Sequence, residues 1–204
     1  MKRYLLITIC TIILPTLAYA EDSYNARDTY VGVRVHKNDS IAFMMEPDNG
    51  DGVTLRDDGF GVGLTIGNRL TQNVKIEFET AYTNGKDSDV GNDFEFHVWS
   101  NMLNVYVYQQ FGGAVEPYVG FGIGVSGLWG KSHGLYDLSD ATADLSWSLM
   151  LGVNFALNNY VDLNLGLKYQ NYGDMDMTND AGYHNYTEID ATEIYIGAAY
   201  KFGL

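Results

Sequence analysis

The chain has 204 residues, 26 Asp and Glu against 12 Lys and Arg, and a formal net charge of −14. So acidic a balance sets nucleic acid aside as a partner, because phosphate contacts depend on Lys and Arg. The single cysteine, Cys10, can form no internal disulfide, which excludes a small cross-linked scaffold.

Residues 1–20 read as a secretory signal peptide. Lys2 and Arg3 form a positive start, Tyr4 to Leu17 an almost unbroken apolar run, and Ala18-Tyr19-Ala20 a small-residue cleavage site before Glu21 and Asp22. A membrane-spanning helix fits poorly, since the run is short and cut by Pro15. A lipoprotein signal through Cys10 also fails, because Ile9 stands where a small residue is needed. About 184 residues remain, one domain's worth, with a charge near −16 once Lys2 and Arg3 are gone. No later apolar run approaches helix-spanning length, so a membrane protein built from them must be a closed β-barrel.

A polar lead, residues 21–28, precedes the predicted barrel, residues 29–204. Val31, Val33 and Val35 alternate with Gly32, Arg34 and His36, and a polar stretch follows from Lys37 to Asp58. Phe60 to Gly67 alternates apolar residues with Gly and Thr, and Val74, Ile76 and Phe78 alternate with Lys75, Glu77 and Glu79. Another polar loop is expected from Asn84 to Asp93. In the next strand, Phe94 to Tyr108, the parity slips: Phe94, Phe96 and Val98 share one face, whereas Leu103, Val105 and Val107 have the other. The slip predicts a bulge near Trp99 to Met102, or an upper part standing clear of lipid. After a short turn, Val119, Phe121, Ile123 and Val125 alternate with Gly120, Gly122, Gly124 and Ser126. A loop is expected from Gly127 to Asp144. Leu145, Trp147, Leu149, Leu151, Val153 and Phe155 give a sixth apolar face, and Val161, Leu163, Leu165, Leu167 and Tyr169 a seventh. A last loop, Gly173 to Asp190, leads to the closing strand, Thr192 to Phe202, where Ile194, Ile196, Ala198, Tyr200 and Phe202 share one face.

Eight period-two segments, with long and short connections alternating, predict an all-β, eight-stranded antiparallel transmembrane β-barrel. The long loops would then be extracellular and both termini periplasmic. A soluble lipocalin-like carrier would reverse the two faces. Against it, the second face is Gly, Ser, Asn and Tyr with a balanced set of charges: Arg34, Lys75, Lys168 and Lys201 against Glu77, Glu79, Asp162 and Glu193. Such a face suits a crowded, hydrogen-bonded interior, where an unpaired charge is costly. Aromatic residues at strand ends predict two interfacial belts, with Phe60, Tyr82, Trp147 and Tyr169 on one side and Phe155, Tyr200 and Phe202 on the other.

S-N-M-L-N-V-Y-V-Y at 100–108, P-Y-V-G-F-G-I-G-V at 117–125 and the closing strand resemble the opacity-protein and OmpA-like family of eight-stranded outer-membrane barrels of Gram-negative bacteria. The resemblance covers the whole mature chain. It implies a surface-exposed, envelope-structural protein embedded in outer-membrane lipid and lipopolysaccharide. In that family the closing strand is read by the barrel-assembly machinery. Tyr195, Gly197, Tyr200 and Phe202 fit its pattern, except that Phe202 is not terminal, although Leu204 keeps its parity. The longer OmpA proteins carry a peptidoglycan-binding domain after the barrel, and that role does not carry over to a chain ending here.

Three functions are weighed on these residues. The first is a non-enzymatic surface protein whose acidic loops make interactions or adhere to host or cell-surface ligands. Its carboxylates include Asp39, Glu46, Asp87, Asp89, Asp137, Asp140, Asp174, Asp176 and Asp180, which would bridge through divalent cations to lipopolysaccharide phosphates. The second is a narrow porin-like channel. Inward Tyr30, Tyr106, Tyr108, Tyr118, Tyr172 and Tyr195 would plug it, whereas Gly61, Gly63, Gly120, Gly122, Gly124, Gly152 and Gly166 leave space. The third is a lipid-modifying enzyme built on His97 and Ser100. Their H-x-x-S spacing puts the two side chains on opposite faces of a regular strand, where a nucleophile and its base cannot meet. No cofactor is implied. Asp48-Asn49-Gly50-Asp51-Gly52 misses the calcium-loop pattern, with Pro47 where the first Asp belongs. His36, His133 and His184 lack metal-ligand spacing.

Overall fold

A strand whose two faces meet different surroundings still has two unsatisfied edges, and eight such strands remove them all by closing on themselves. The computed structural model describes residues 29–46, 53–87, 93–111, 113–133, 138–178 and 184–202, and these are such a closed barrel. Its strands are β1 (Thr29–Glu46), β2 (Val53–Arg69), β3 (Val74–Asp87), β4 (Asp93–Tyr108), β5 (Val115–His133), β6 (Leu138–Ala156), β7 (Val161–Thr178) and β8 (His184–Phe202). Each pairs antiparallel with the next, and β1 closes on β8. One end, the turn end, carries β1's start, β8's finish and the three connections 70–73, 109–114 and 157–160. Two of these are tightened by side chains: Thr71 Oγ1 accepts from Asn73 N and Val74 N, and Asn158 Oδ1 from Tyr160 N and Val161 N. The expected signal peptide and polar lead, and the 48–52 segment, lie outside the described residues.

The faces are inverted relative to a soluble protein. Leu64 and Leu151 are 62 % and 58 % exposed, while Glu79 and Gln170 are 0 % exposed. An apolar belt this continuous would be a severe liability in water and costs nothing in hydrocarbon. Aromatic rings rim the belt as expected. Phe60, Tyr82 and Trp147 point outward toward the far end, and Phe155 and Tyr200 outward near the turn end. Trp147 packs on Tyr169, and Tyr160 stacks on Tyr200.

Two expectations are overturned. The bulge near Trp99 to Met102 does not form: β4 pairs with β3 and β5 in unbroken register. Val98 and Met102 point inward, and Trp99, Leu103 and Val105 outward. The parity slip therefore marks a lumen that becomes apolar toward the far end, where Val98, Met102, Leu128 and Ile189 are buried. Irregularities fall instead in β1, between Asn38 and Ile41, and in β7, between Asn171 and Gly173. Gly173 has φ +96°, which only glycine adopts freely, and its N–H donates to Asn171 Oδ1. Among the described residues, the expected long loops are also largely strand. Most of the stretches 37–58, 84–93, 127–144 and 173–190 continue the strands, so Asp39, Glu46, Asp87, Asp140, Asp174 and Asp176 belong to strands, not loops. Asp89, Asp137 and Asp180 lie outside the described residues.

The β6–β7 ladder stops at Trp147 and Asn171 toward the far end. Beyond it, Ser146 Oγ still reaches the Tyr172 carbonyl at 3.2 Å.

Candidate functional site

The lumen is the site. Period two sends every second residue of each strand into it, and register decides which of them meet.

At its centre, Arg34 of β1 reaches across to β3, with Nη1 2.9 Å from Glu79 Oε2 and 3.0 Å from Glu77 Oε1. Its guanidinium also donates to the Tyr106 hydroxyl and lies 4.9 Å above the Tyr195 ring. Glu77 accepts two further bonds, from Tyr30 (2.6 Å) and Tyr106 (2.8 Å). One strand turn onward, His36 stands between two carboxylates. Nδ1 is 2.9 Å from Glu193 Oε2, and Nε2 is 3.0 Å from Glu79 Oε1. Lys168 approaches Glu193 at 3.4 Å, Tyr172 donates to Glu193 at 2.5 Å, and Asn104 donates to Glu79 at 3.1 Å. A carboxylate so buried tolerates its charge only with donors of this kind around it.

Toward the turn end a layer of tyrosines fills the bore. Tyr106, Tyr108, Tyr118 and Tyr195 pack with Met150 in one buried cluster. Tyr106 meets Tyr118 edge-on at 5.4 Å, Tyr108 meets Tyr118 at 5.1 Å, and the Tyr118 and Tyr195 hydroxyls are 2.6 Å apart. The inward glycines do not leave open space. A Cβ on Gly120 would lie 2.7 Å from Tyr106, one on Gly152 2.5 Å from Tyr118, and one on Gly166 2.5 Å from Tyr195. Gly61, Gly63, Gly122 and Gly124 are filled similarly by Thr83, Glu79, Asn104 and Met102. Each glycine is the recess into which a neighbouring strand's side chain fits.

Beyond the tyrosines, at the turn-end mouth, Arg69 holds Glu116 by two bonds (3.0 and 2.7 Å), and Asn154 adds a third donor. Lys201 binds Asp162 at 2.8 Å. Lys75 lies over the rings of Tyr30 (4.3 Å) and Tyr108 (5.2 Å).

The structure thus brings all eight expected charges inside, in two groups. Arg34, Glu77, Glu79, Lys168 and Glu193 form the central network, and Lys75, Asp162 and Lys201 line the mouth. Sequence reasoning missed His36 as the bridge, and Arg69 and Glu116 as a pair. Parity could have found the latter two, since Arg69 continues the inward series Gly63, Thr65, Gly67, and Glu116 precedes inward Tyr118 by two. Of the closing-strand residues, Tyr195 and Gly197 face inward, whereas Tyr200 faces outward. His97 and Ser100 are on opposite faces: His97 faces out, with Nδ1 2.7 Å from the Tyr82 hydroxyl, and Ser100 is buried within. His133 and His184 fall at the far ends of β5 and β8.

The model of the outer membrane protein beta-barrel domain family matches residues 6–202. Among solved structures, the chain is similar to the outer membrane protein AlkL in lipid bilayers (TM-score 0.61, 18 % identity, covering 91 % of this chain and 95 % of that one). It is similar also to the outer membrane protein OprG of Pseudomonas aeruginosa (0.58, 18 %, 89 % and 99 %) and to Neisserial surface protein A (0.57, 18 %, 85 % and 97 %). At that identity the likeness is one of fold. No curated protein sequence matches the chain. An inverted eight-stranded barrel, matched over almost its full length by one family model, belongs to the outer membrane protein beta-barrel domain family and resides in the bacterial outer membrane.

Proposed function

We propose that this protein is a non-conducting, non-enzymatic barrel that supports the envelope and presents its far end at the cell surface for interaction. Residues 1–20 are removed on export, and the turn end faces the periplasm. The observation that carries this reading is the tyrosine layer. Tyr106, Tyr108, Tyr118 and Tyr195 are at most 4 % exposed, and Tyr106, Tyr118 and Tyr195 occupy the recesses of Gly120, Gly152 and Gly166, so an aqueous path through the bore would have to displace them. The porin-like alternative needs an open lumen and finds none among the described residues. The enzyme alternative needs His97 beside Ser100, which the strand separates.

Planar-bilayer recording tests the proposal. The wild-type barrel gives no stepwise conductance, and Tyr118→Ala combined with Tyr195→Ala gives small steps. Regular steps from the wild type would overturn the non-conducting reading. The acidic residues of the far end bridge through divalent cations to lipopolysaccharide phosphates. If chelating divalent ions left lipopolysaccharide association unchanged, that part would be withdrawn. Mass measurement of the mature protein checks cleavage after Ala20.

A further inference from the structure

We propose that the turn-end mouth is a binding site for one small oxyanion, held chiefly by the ammonium of Lys75. The mouth is a cavity of about 120 Å³, lined among others by Tyr30, Arg69, Lys75, Glu116, Asp162 and Lys201. These residues arrive from six different strands, β1, β2, β3, β5, β7 and β8, so the cavity is a product of closure and not of any local loop.

Its charges do not cancel. Three cations face two carboxylates, and both carboxylates are taken. Glu116 accepts both bonds of the Arg69 fork and one from Asn154, and Asp162 binds Lys201. Glu77, the next carboxylate inward, already accepts from Tyr30, Tyr106 and Arg34. Lys75 is only 6 % exposed, and among the described residues its ammonium makes no hydrogen bond or ion pair. Its contacts are the faces of Tyr30 and Tyr108. Those rings attract a cation but accept none of its three N–H bonds. A buried ammonium in this position is short of one acceptor of negative charge.

The missing group is an anion, and the space suits a small one. The cavity is large enough for a carboxylate or a phosphate and too small for a larger ligand held entirely inside. One negative charge would balance the wall. The rings of Tyr108 and Tyr118 lie beneath, so the anion enters and leaves from the turn side and is not transported. The shared chemistry is an oxyanion; its source is either a free solute or the phosphate of a phospholipid headgroup reaching over the rim.

The test is calorimetric titration of the mature, folded barrel with inorganic phosphate in a maltoside detergent, which contributes no phosphate of its own. The expected result is saturable binding of one equivalent that weakens as salt rises. Lys75→Met weakens it by about tenfold or more, as loss of a charge-assisted bond requires. Lys201→Gln, at the more open rim, weakens it several-fold, and Lys37→Met on the outer face leaves it unchanged. A heat-dependent gel shift verifies that each variant is a closed barrel. Repeating the titration in phospholipid nanodiscs distinguishes the sources: unchanged affinity assigns a free solute, and lowered apparent affinity assigns a headgroup already in the site. Absence of saturable binding in maltoside, or equal binding by wild type and a folded Lys75→Met barrel, would overturn the proposal.

Discussion

Replacing Arg34 with Met asks whether the central network holds the barrel or merely fills it. Arg34 is 4 % exposed and serves two carboxylates, at 2.9 and 3.0 Å, as well as the Tyr106 hydroxyl and the Tyr195 ring. Met keeps much of the volume and removes the charge. Glu77 would retain the Tyr30 and Tyr106 hydroxyls, and Glu79 would retain Asn104 and His36. Breaking a buried pair from one side costs about 3–5 kcal/mol, and these remaining donors put the expectation near the lower figure. The assay is equilibrium unfolding in guanidinium of the barrel folded into lipid vesicles, extrapolated linearly to water. Tryptophan emission serves as the signal, since Trp99, Trp129 and Trp147 all face outward. Adding Glu79→Gln to Arg34→Met removes one of the two stranded charges. The double variant is therefore less destabilised than the sum of the singles by about 1 kcal/mol or more. An Arg34→Met cost below about 1 kcal/mol, with additive singles, would refute the claim that these charges depend on one another.

The recess-and-ring packing makes its own prediction. Gly166→Ala drives a methyl into Tyr195 and toward the Leu151 carbonyl, and is expected to cost about 1–3 kcal/mol in the same unfolding assay. Gly113→Ala, in open space in a turn, should be close to neutral. Leu151→Arg on the lipid face, midway along β6 between the outward Trp147 and Phe155, should cost about 2–4 kcal/mol in bilayers. The folded barrel, unboiled, should migrate apart from the boiled chain on a gel and remain in the outer-membrane fraction; a soluble protein without such a shift would contradict the assignment of the apolar face to lipid.

The barrel was legible in the sequence because lipid and lumen differ most at mid-height, where Val31 to Val35, Phe60 to Ile66 and Ile194 to Ile196 alternate cleanly. Legibility failed where that contrast fades. In β4 the inward Val98 and Met102 are themselves apolar, so the pattern looked broken although the ladder is continuous. From Lys37 to Glu46 the alternation disappears from the sequence, and β1 continues regardless, because its backbone bonds to β2 and β8 require no particular side chain. The charges were legible as a set, since parity alone sends them inward. Their partners were not. That His36 joins Glu79 to Glu193 depends on three strands separated by many residues, and a composition rich in Gly shows recesses without showing that tyrosines occupy them.

The ladder between β1 and β8 joins the first strand to the last, and its consequence is one of timing. His36 and Arg34 lie on β1 and Glu193 and Tyr195 on β8, so the His36–Glu193 pair and the seat of Arg34 on the Tyr195 ring cannot form before the sheet has rolled shut. Until then Glu193 lacks its His36 partner and remains hydrated at little cost. A closure displaced by one residue would turn Glu193 and Tyr195 outward to hydrocarbon and bring Ile194 and Ile196 into the bore. The polar interior therefore acts as a proofreader of the seam. It rewards only the correct alignment, and only at the last step, which makes closure the commitment point of assembly and leaves half-built barrels free to dissociate and try again.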